Sequence, residues 1–408
     1  MLQDMLSTIG IKDVEELFEC IDKRAKIDGL NLPDPLEELN VQKKLYALSK
    51  ANKTDYINFL GGGSYKRFIP SAVSAVTQRW EFLSAYTPYQ AEISQGSLQA
   101  MYEFQTMMCH LTNMDASNAS VYDGASACAE AIMMACRINK RSKVWISKNI
   151  NPNYREVIKT YLWAGDIEIT EDENAQELAC KLYQFPDYYG ELTDIPVKRE
   201  KELIIAAVDV VAMALIEPPN ADIIVGDFQS FGLPTNFGGP YGGFVACKDA
   251  YKRNLPGRVV GKTVDAEGKT AYTLTMQARE QHIKRERATS NICSNQALCA
   301  LTATVYLFLT GEKGLKKIAQ TSFDNAHKLA KALENKGYEV LSKNFFNEFV
   351  LKVPDSFSNS HNTAVAAFLD KMKENNILAG IEIDKNKILI CTTELNDSID
   401  LDTFVKLC

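Results

Sequence analysis

The sequence predicts an α/β fold, with a large domain on a mostly parallel β-sheet followed by a small α+β domain. Three observations predict it. Six short apolar runs, at 143–147, 167–170, 181–185, 203–209, 223–227 and 242–247, alternate with helical or looping segments. Several are β-branched and lack polar alternation, the pattern of strands covered on both faces. From residue 312 the chain changes character and reads helix, strand, strand, helix, strand, with 349–353 and 388–391 the clearest strands.

Taken in order, the elements divide the chain into a helical arm at 1–60, a large domain at 61–311 and a small domain at 312–408. The first fifty residues are amphipathic and helical in pattern, broken by Pro33 and Pro35. Gly61-Gly62-Gly63-Ser64 follows and reads as a flexible turn; three glycines alone are weak grounds for a phosphate site. The run from Tyr86 to Gly96 fits neither period, and loops so rich in Tyr, Gln, Glu and Ser line sites or subunit contacts. Leu98, Met101, Phe104, Met108 and Leu111 recur at helical spacing. Asp123-Gly124-Ala125-Ser126 opens an alanine-rich helix running toward Arg137, and a further helix spans 295–309 and ends near Gly311.

The chain has 408 residues, 46% hydrophobic and 24% charged, with a formal net charge of −7. That balance argues against a nucleic-acid binder, which would show a basic face. The one basic cluster, Lys284-Arg285-Glu286-Arg287, is interrupted by an acid and reads as a solvated face. No apolar run approaches the roughly 18 residues of a membrane span. The first sixteen residues lack the apolar core of a secretory signal, so a cytoplasmic location is expected. Cys109, Cys128, Cys136, Cys180, Cys247, Cys293, Cys299 and Cys391 lie in apolar segments without CxxC or His pairing. They read as reduced core residues, with neither a disulfide nor a metal site expected.

A large α/β domain with a small α+β tail is the layout of fold-type-I pyridoxal-phosphate enzymes. Such a site needs an anion cradle, a carboxylate for the pyridine nitrogen and a lysine to anchor the cofactor. Gly124, Ala125 and Ser126 are the cradle candidates, because backbone N–H groups at a helix start favour a phosphate. The alternative is plain N-capping by Asp123 or Ser120. Asp209, at the end of a β-branched run, is the carboxylate candidate; its alternative is a strand-end turn cap. The lysine should lie roughly twenty residues on, in the turn from Gly226 to Gly232. Gln229 occupies about that place, and an amide cannot form the bond. Lys248 follows another strand and reads as a solvated charge, and Lys148 is the other lysine a self-sufficient enzyme could use.

At this point several long motifs converge. Ala85-Tyr86-Thr87-Pro88-Tyr89-Gln90 with Glu92-Ile93-Ser94-Gln95-Gly96, Asn118-Ala119-Ser120-Val121-Tyr122-Asp123-Gly124, and Val225-Gly226-Asp227-Phe228-Gln229-Ser230 with Asn236-Phe237-Gly238-Gly239-Pro240 all resemble one family. The run from Gln277 to Cys293 is similar to that family's longest motif. It is the glycine decarboxylase, or P-protein, family of the glycine cleavage system, and the likeness spans about 59–309. The resemblance is to the N-terminal-type half, the one without the pyridoxal lysine. It implies a subunit paired with a lysine-bearing beta subunit in an α2β2 assembly. Pyridoxal 5'-phosphate would be held covalently by that partner. The pair would decarboxylate glycine and pass the aminomethyl group to the lipoyl arm of H-protein.

The resemblance further implies that this chain reaches the partner's cofactor through Thr289, Ser290 and Asn291. Tyr86, Tyr89, Gln90, Glu92, Ser94 and Gln95 would form the site rim or pairing surface. In both places a contact without a chemical role is the competing reading. The chain departs from the family pattern at Asn151-Pro152, where His-Pro is frequent. It also departs in a short segment at 190–202 and a trimmed linker, Glu217-Pro218-Pro219-Asn220. Those departures leave open a second reading, a degenerate, non-catalytic homologue acting as a binding or scaffold protein.

Overall fold

The computed structural model describes residues 1–27, 29–196, 201–358 and 363–408. The chain falls into two compact units, Met1–Asp55 and Tyr56–Cys408. The first contains helices Leu2–Ile9 and Glu38–Ala51.

The second unit is built on a seven-stranded sheet. Its strands are β1 (Ala116–Ser117), β2 (Lys143–Ile146), β3 (Glu168–Thr170), β4 (Leu178–Phe185), β5 (Leu203–Val208), β6 (Ile223–Asp227) and β7 (Gly243–Cys247). The order is β1-β7-β6-β5-β4-β2-β3. The four pairings from β6 through to β3 are parallel, while β7 runs antiparallel to β6 and β1. The expected mostly parallel sheet is therefore present. In β5, Leu203, Ile205 and Ala207 face one core and Ile204, Ala206 and Val208 the other, so all six are buried. Apolar residues on both faces are what removed the alternation from the sequence.

Helices α1 (Gln95–Thr112), α2 (Gly124–Asn139) and α3 (Pro152–Ala164) cover this sheet. Small side chains make α2 almost wholly buried from Gly124 to Cys136. That permits the close approach its alanine content suggested. The helix expected at 295–309 does break at Gly311, and a second helix follows directly. Helix α4 runs Ala297–Asn335, but Gly311 adopts φ 57° and ψ −179° inside it. Glycine permits that backbone break without a Cβ penalty.

Beyond the hairpin β8 (Val259–Val264) and β9 (Thr270–Thr275), a second sheet contains β10 (Glu339–Val340), β11 (Glu348–Lys352), β12 (Ile381–Asp384) and β13 (Lys387–Cys391). Its order is β10-β11-β13-β12, all antiparallel. Helices α5 (Ala364–Glu374) and α6 (Ser398–Leu407) accompany it. The reading helix, strand, strand, helix, strand missed β12 and α6. Ile57–Asn58, inside the stretch read as the arm, pairs in parallel with Ile377–Leu378. Phe59 packs with Phe349, Phe368 and Phe404 in the core of this region.

Six of the cysteines read as core residues are buried; Cys109 is half-buried and Cys293 is exposed, which corrects that reading for Cys293. The Cys293 backbone lies in an open loop, where its N–H donates to the Tyr122 hydroxyl. No helix among the described residues is long and apolar enough to cross a membrane. The short segment expected at 190–202 lies partly outside the described residues.

Candidate functional site

A cavity of about 50 Å³ lies at the carboxyl ends of β5 and β6. Open α/β sheets place ligands at that end, because loops diverge there while the strands stay fixed. Asp209 enters directly after β5, Asp227 is the last residue of β6, and Glu348 begins β11. All three line the cavity together with Tyr65, Asn151, Tyr154, Gln184, Ser230 and Asn347.

The carboxylates are held differently. Asp209 Oδ1 accepts from the backbone N–H groups of Val211 and Ala212, both at 2.8 Å. Asp227 accepts from the Tyr154 hydroxyl at 2.6 Å and from the Gln229 N–H at 3.2 Å. Burial pushes its carboxyl up to about 7, against the pull of those hydrogen bonds. Glu348 accepts from Gly62 N–H at 2.6 Å and from the Tyr65 hydroxyl at 2.8 Å. Burial raises this carboxyl to about 7 as well. The triple-glycine turn thus wraps a carboxylate. A Cβ on Gly61 would lie 2.1 Å from Glu348 Oε1, and Gly63 takes φ +101°. Only glycine allows the loop this approach.

Of the residues predicted as a cofactor pocket, Asp209 lines the cavity and Gly124 stands against Tyr154, while Ser126, Asp209 and Gln229 are engaged in hydrogen bonds of their own. Asp123 caps α2: its Oδ1 accepts from Ser126 N–H at 2.7 Å, and the Ser126 hydroxyl closes the reciprocal bond to Asp123 N–H. The helix start at Gly124, Ala125 and Ser126 therefore faces a carboxylate of its own chain, in a capping box. Tyr154 leaves no room over Gly124, where a Cβ would lie 2.2 Å from its hydroxyl. Asp209 performs the turn cap. Gln229, 1% exposed, is fully used: Oε1 accepts from Tyr65 N–H at 3.0 Å, and Nε2 donates to Tyr65 O at 3.0 Å and Leu233 O at 2.7 Å. Where an anchoring lysine was expected, an amide latches the glycine loop to the sheet.

Beside that latch, Arg67 is buried and paired with Glu394 at 2.7 Å, and donates to Ser230 and Ser322. The two lysines considered as substitutes point elsewhere. Lys148 pairs with Glu171 and Lys248 with Asp222.

The second group of predicted residues gathers on another surface. The Tyr89 ring meets the His282 ring edge-on at 5.4 Å and lies beneath the Arg258 guanidinium. This contact joins the 86–95 loop to the 277–293 motif. Gln95 is structural, because its amide exchanges hydrogen bonds with the Tyr272 backbone in β9. Tyr86, Gln90 and Glu92 are exposed, and Ser94 is half-buried. Thr289 N–H donates to Arg279 O at 3.1 Å; its hydroxyl reaches the same oxygen at only 3.4 Å. Ser290 Oγ accepts from Ile292 N–H, and Asn291 is exposed. Under this loop Glu130 is wholly buried, and neither carboxylate oxygen has a hydrogen-bond partner. Burial raises its carboxyl, opposed by the Ser290 hydroxyl and Arg137. The Lys284-Arg285-Glu286-Arg287 cluster is exposed throughout.

Sequence reading missed Tyr65, Tyr154, Asp227, Asn347 and Glu348. Glu348 carried a signal, a lone acid among Phe345, Phe346 and Phe349 at a strand start. Asn151, noted as a departure, caps α3 and donates to Gly62 O.

These residues do not fit pyridoxal phosphate within this chain. Pockets for cofactor-sized ligands run to roughly 300 Å³ or more, the helix start is self-capped, three carboxylates face inward, and no lysine is present.

Over residues 1–408 the chain matches the family described as Glycine cleavage system P-protein. A probable glycine dehydrogenase (decarboxylating) subunit 1 of Thermotoga maritima is 41% identical, covering 98% of this chain and 96% of the relative. The protein of that name from Carboxydothermus hydrogenoformans is 42% identical, covering 100% and 97%. A crystal structure of glycine decarboxylase (P-protein) of the glycine cleavage system, in inhibitor-bound form, superposes with a TM-score of 0.90. It is 36% identical, with 100% of this chain and 98% of that one covered. Lactobacillus brevis glutamate decarboxylase, 13% identical with a TM-score of 0.64 over 96% of each chain, shares the fold.

Proposed function

This chain belongs to the glycine cleavage system P-protein family, and on that premise we propose that it is the lysine-free subunit of glycine decarboxylase. Its partner is a lysine-bearing beta subunit in an α2β2 assembly, and that partner holds pyridoxal 5'-phosphate covalently. The observation carrying this reading is the Gln229 latch, a buried amide with three hydrogen bonds where an anchoring lysine would stand. Bound to the partner, the cofactor supplies the electron sink that glycine decarboxylation needs.

The contribution of this chain lies on the surface that joins the 86–95 loop to the 289–291 loop. Thr289 keeps a hydroxyl with one long internal contact, and Asn291 adds an exposed amide. Such neutral donors suit an anionic group presented by a partner. Buried Glu130 stands behind Ser290 and orients the loop. Tyr86 and Tyr89, 84% and 51% exposed, offer aromatic area for pairing. Lipoylated H-protein then receives the aminomethyl group from the assembled site.

Glycine-dependent CO2 exchange tests the proposal, measured for this chain, for the beta subunit and for their mixture, each with lipoylated H-protein. Activity is expected in the mixture alone. Activity of the isolated chain, or a mixture no more active than beta alone, overturns it; the latter result is what a degenerate scaffold homologue gives.

A further inference from the structure

Around the loop that carries Thr289, Ser290 and Asn291, the chain buries charge that it does not pair. Six buried side-chain nitrogen or oxygen atoms among the described residues have no hydrogen-bond partner. Five of them belong to Glu130, Arg258, Arg279 and Glu280, so the cost is concentrated at one segment. Burying a polar group without a partner is expensive, and native chains keep such groups where a task requires them. Glu130 is the extreme case: it is 0% exposed, and both carboxylate oxygens are unpartnered. It is the one acid of α2, in a stretch from Gly124 to Cys136 that is otherwise small or apolar.

Three elements bring polar groups toward this carboxylate. The Ser290 hydroxyl reaches it from the loop, Arg137 follows two turns on along α2, and Tyr161 lies within its field from α3. The two ends of the loop are fixed by other contacts. Arg279 O accepts from Thr289 N–H at 3.1 Å, while the Arg279 guanidinium donates to Leu255 O and, at 2.8 Å, to Gly257 O. Ile292, 6% exposed, lies against Gly257, where a Cβ would meet its Cγ2 at 3.4 Å. Ser290 stands between those ends. Its Oγ accepts from Ile292 N–H at 3.0 Å, and its proton has the Glu130 carboxylate as the acceptor within reach.

We propose that Glu130 is a positioning residue for the partner's cofactor site: it draws the Ser290 hydroxyl inward, so that Ser290 anchors the loop and Thr289 and Asn291 are the donors left facing the partner. The inference rests on the reading of 289–291 as the cofactor-facing loop, and it removes Ser290 from direct contact with the cofactor. A hydroxyl held by an ionised acceptor is held more strongly than by a neutral one, which is the use of a carboxylate at a place where an apolar side chain would pack at lower cost.

Glu130→Met keeps the length of the side chain and removes the acceptor. Exchanging a buried unpaired charge for an apolar side chain of similar volume is neutral or stabilising, so the melting temperature of the full chain should hold or rise. Mixed with wild-type beta subunit, the same variant should bind pyridoxal phosphate about tenfold more weakly by spectral titration, the scale of one charge-assisted hydrogen bond. Glu130→Gln, whose amide oxygen still accepts from Ser290, should restore most of that affinity. Ser290→Ala should match Glu130→Met, and the double variant should be no weaker than either single one. In the isolated full chain, site-resolved hydrogen exchange should show the Thr289 and Ile292 amides opening faster in Glu130→Met, with the amides of 131–135 in α2 unchanged. Cofactor affinity unaltered by Glu130→Met overturns the inference, as do unaltered loop exchange or additive losses in the double variant. A loss that tracks a fall in melting temperature and is not rescued by Glu130→Gln also overturns it, because a purely structural role gives that result. Thr289→Ala separates the two readings: weakened binding there with Glu130→Met silent sinks this inference alone, whereas silence in both removes the whole loop from the partner's site.

Discussion

Gln229→Ala is the substitution that probes the latch most sharply. The wild-type side chain accepts one hydrogen bond from Tyr65 N–H and donates two, to Tyr65 O and Leu233 O. Truncation strands one donor and two acceptors in a place where the residue is 1% exposed. Each orphaned buried group costs about 1–3 kcal/mol. With the low end applied to all three, because the neighbouring cavity can admit water, the loss is about 3 kcal/mol. Circular dichroism melting should therefore show a fall of roughly 5 °C. Gln229→Lys should be no milder, because an ammonium cannot accept from Tyr65 N–H and would be buried. It should also fail to gain pyridoxal absorbance, since the self-capped α2 start and Tyr154 still fill the cradle. A Gln229→Ala variant within about 0.5 kcal/mol of wild type, the scale of a neutral surface change, would refute the latch. Covalent cofactor binding by Gln229→Lys would refute the misfit of the pocket.

Three further outcomes are expected. Arg67→Leu leaves Glu394 without its buried partner and should destabilise the chain by about 3–5 kcal/mol in the same melting assay; a loss below about 1 kcal/mol contradicts the pairing. Asp227 and Glu348 have carboxyls raised from ordinary values of 3.8 and 4.5 to about 7. Their contribution to stability is fully present below the ordinary range and is lost as pH rises through about 7. The melting temperature should therefore decline between about pH 5 and about pH 8, and the Asp227→Asn/Glu348→Gln double variant should flatten that slope; an unchanged slope sinks the assignment. Thr289→Ala, mixed with wild-type beta subunit, should weaken pyridoxal phosphate binding about tenfold by spectral titration, the value of one charge-assisted hydrogen bond. Thr289→Ser should restore it, and an affinity unaltered by Thr289→Ala removes the residue from the partner's site.

The parallel sheet was legible because its strands are short and covered on both faces, so that 203–208 and 223–227 stand out as unbroken apolar runs. The absence of a lysine from the Gly226–Gly232 turn is plain in the sequence, about twenty residues after Asp209. What Gln229 does there was not legible. Two of the three Gln229 hydrogen bonds reach 164 residues away to Tyr65, and Glu348 reaches back 286 residues to Gly62. Tyr154 meets Asp227 from a helix whose surface pattern gave no hint of it. Ser120, at φ +131°, accepts the N–H of Gln296 at the start of α4; no local pattern foretells a serine held in that conformation. Periodicity reports which face of an element is covered, whereas the site depends on which distant side chains meet.

Borohydride reduction followed by peptide mapping addresses the division of labour within the assembly most directly. Applied to the co-purified alpha and beta chains with pyridoxal phosphate and without glycine, it should place the reduced pyridoxyl-lysine in beta peptides alone. A pyridoxyl-lysine in this chain, at Lys148, Lys248 or elsewhere, would contradict a subunit built around a buried glutamine.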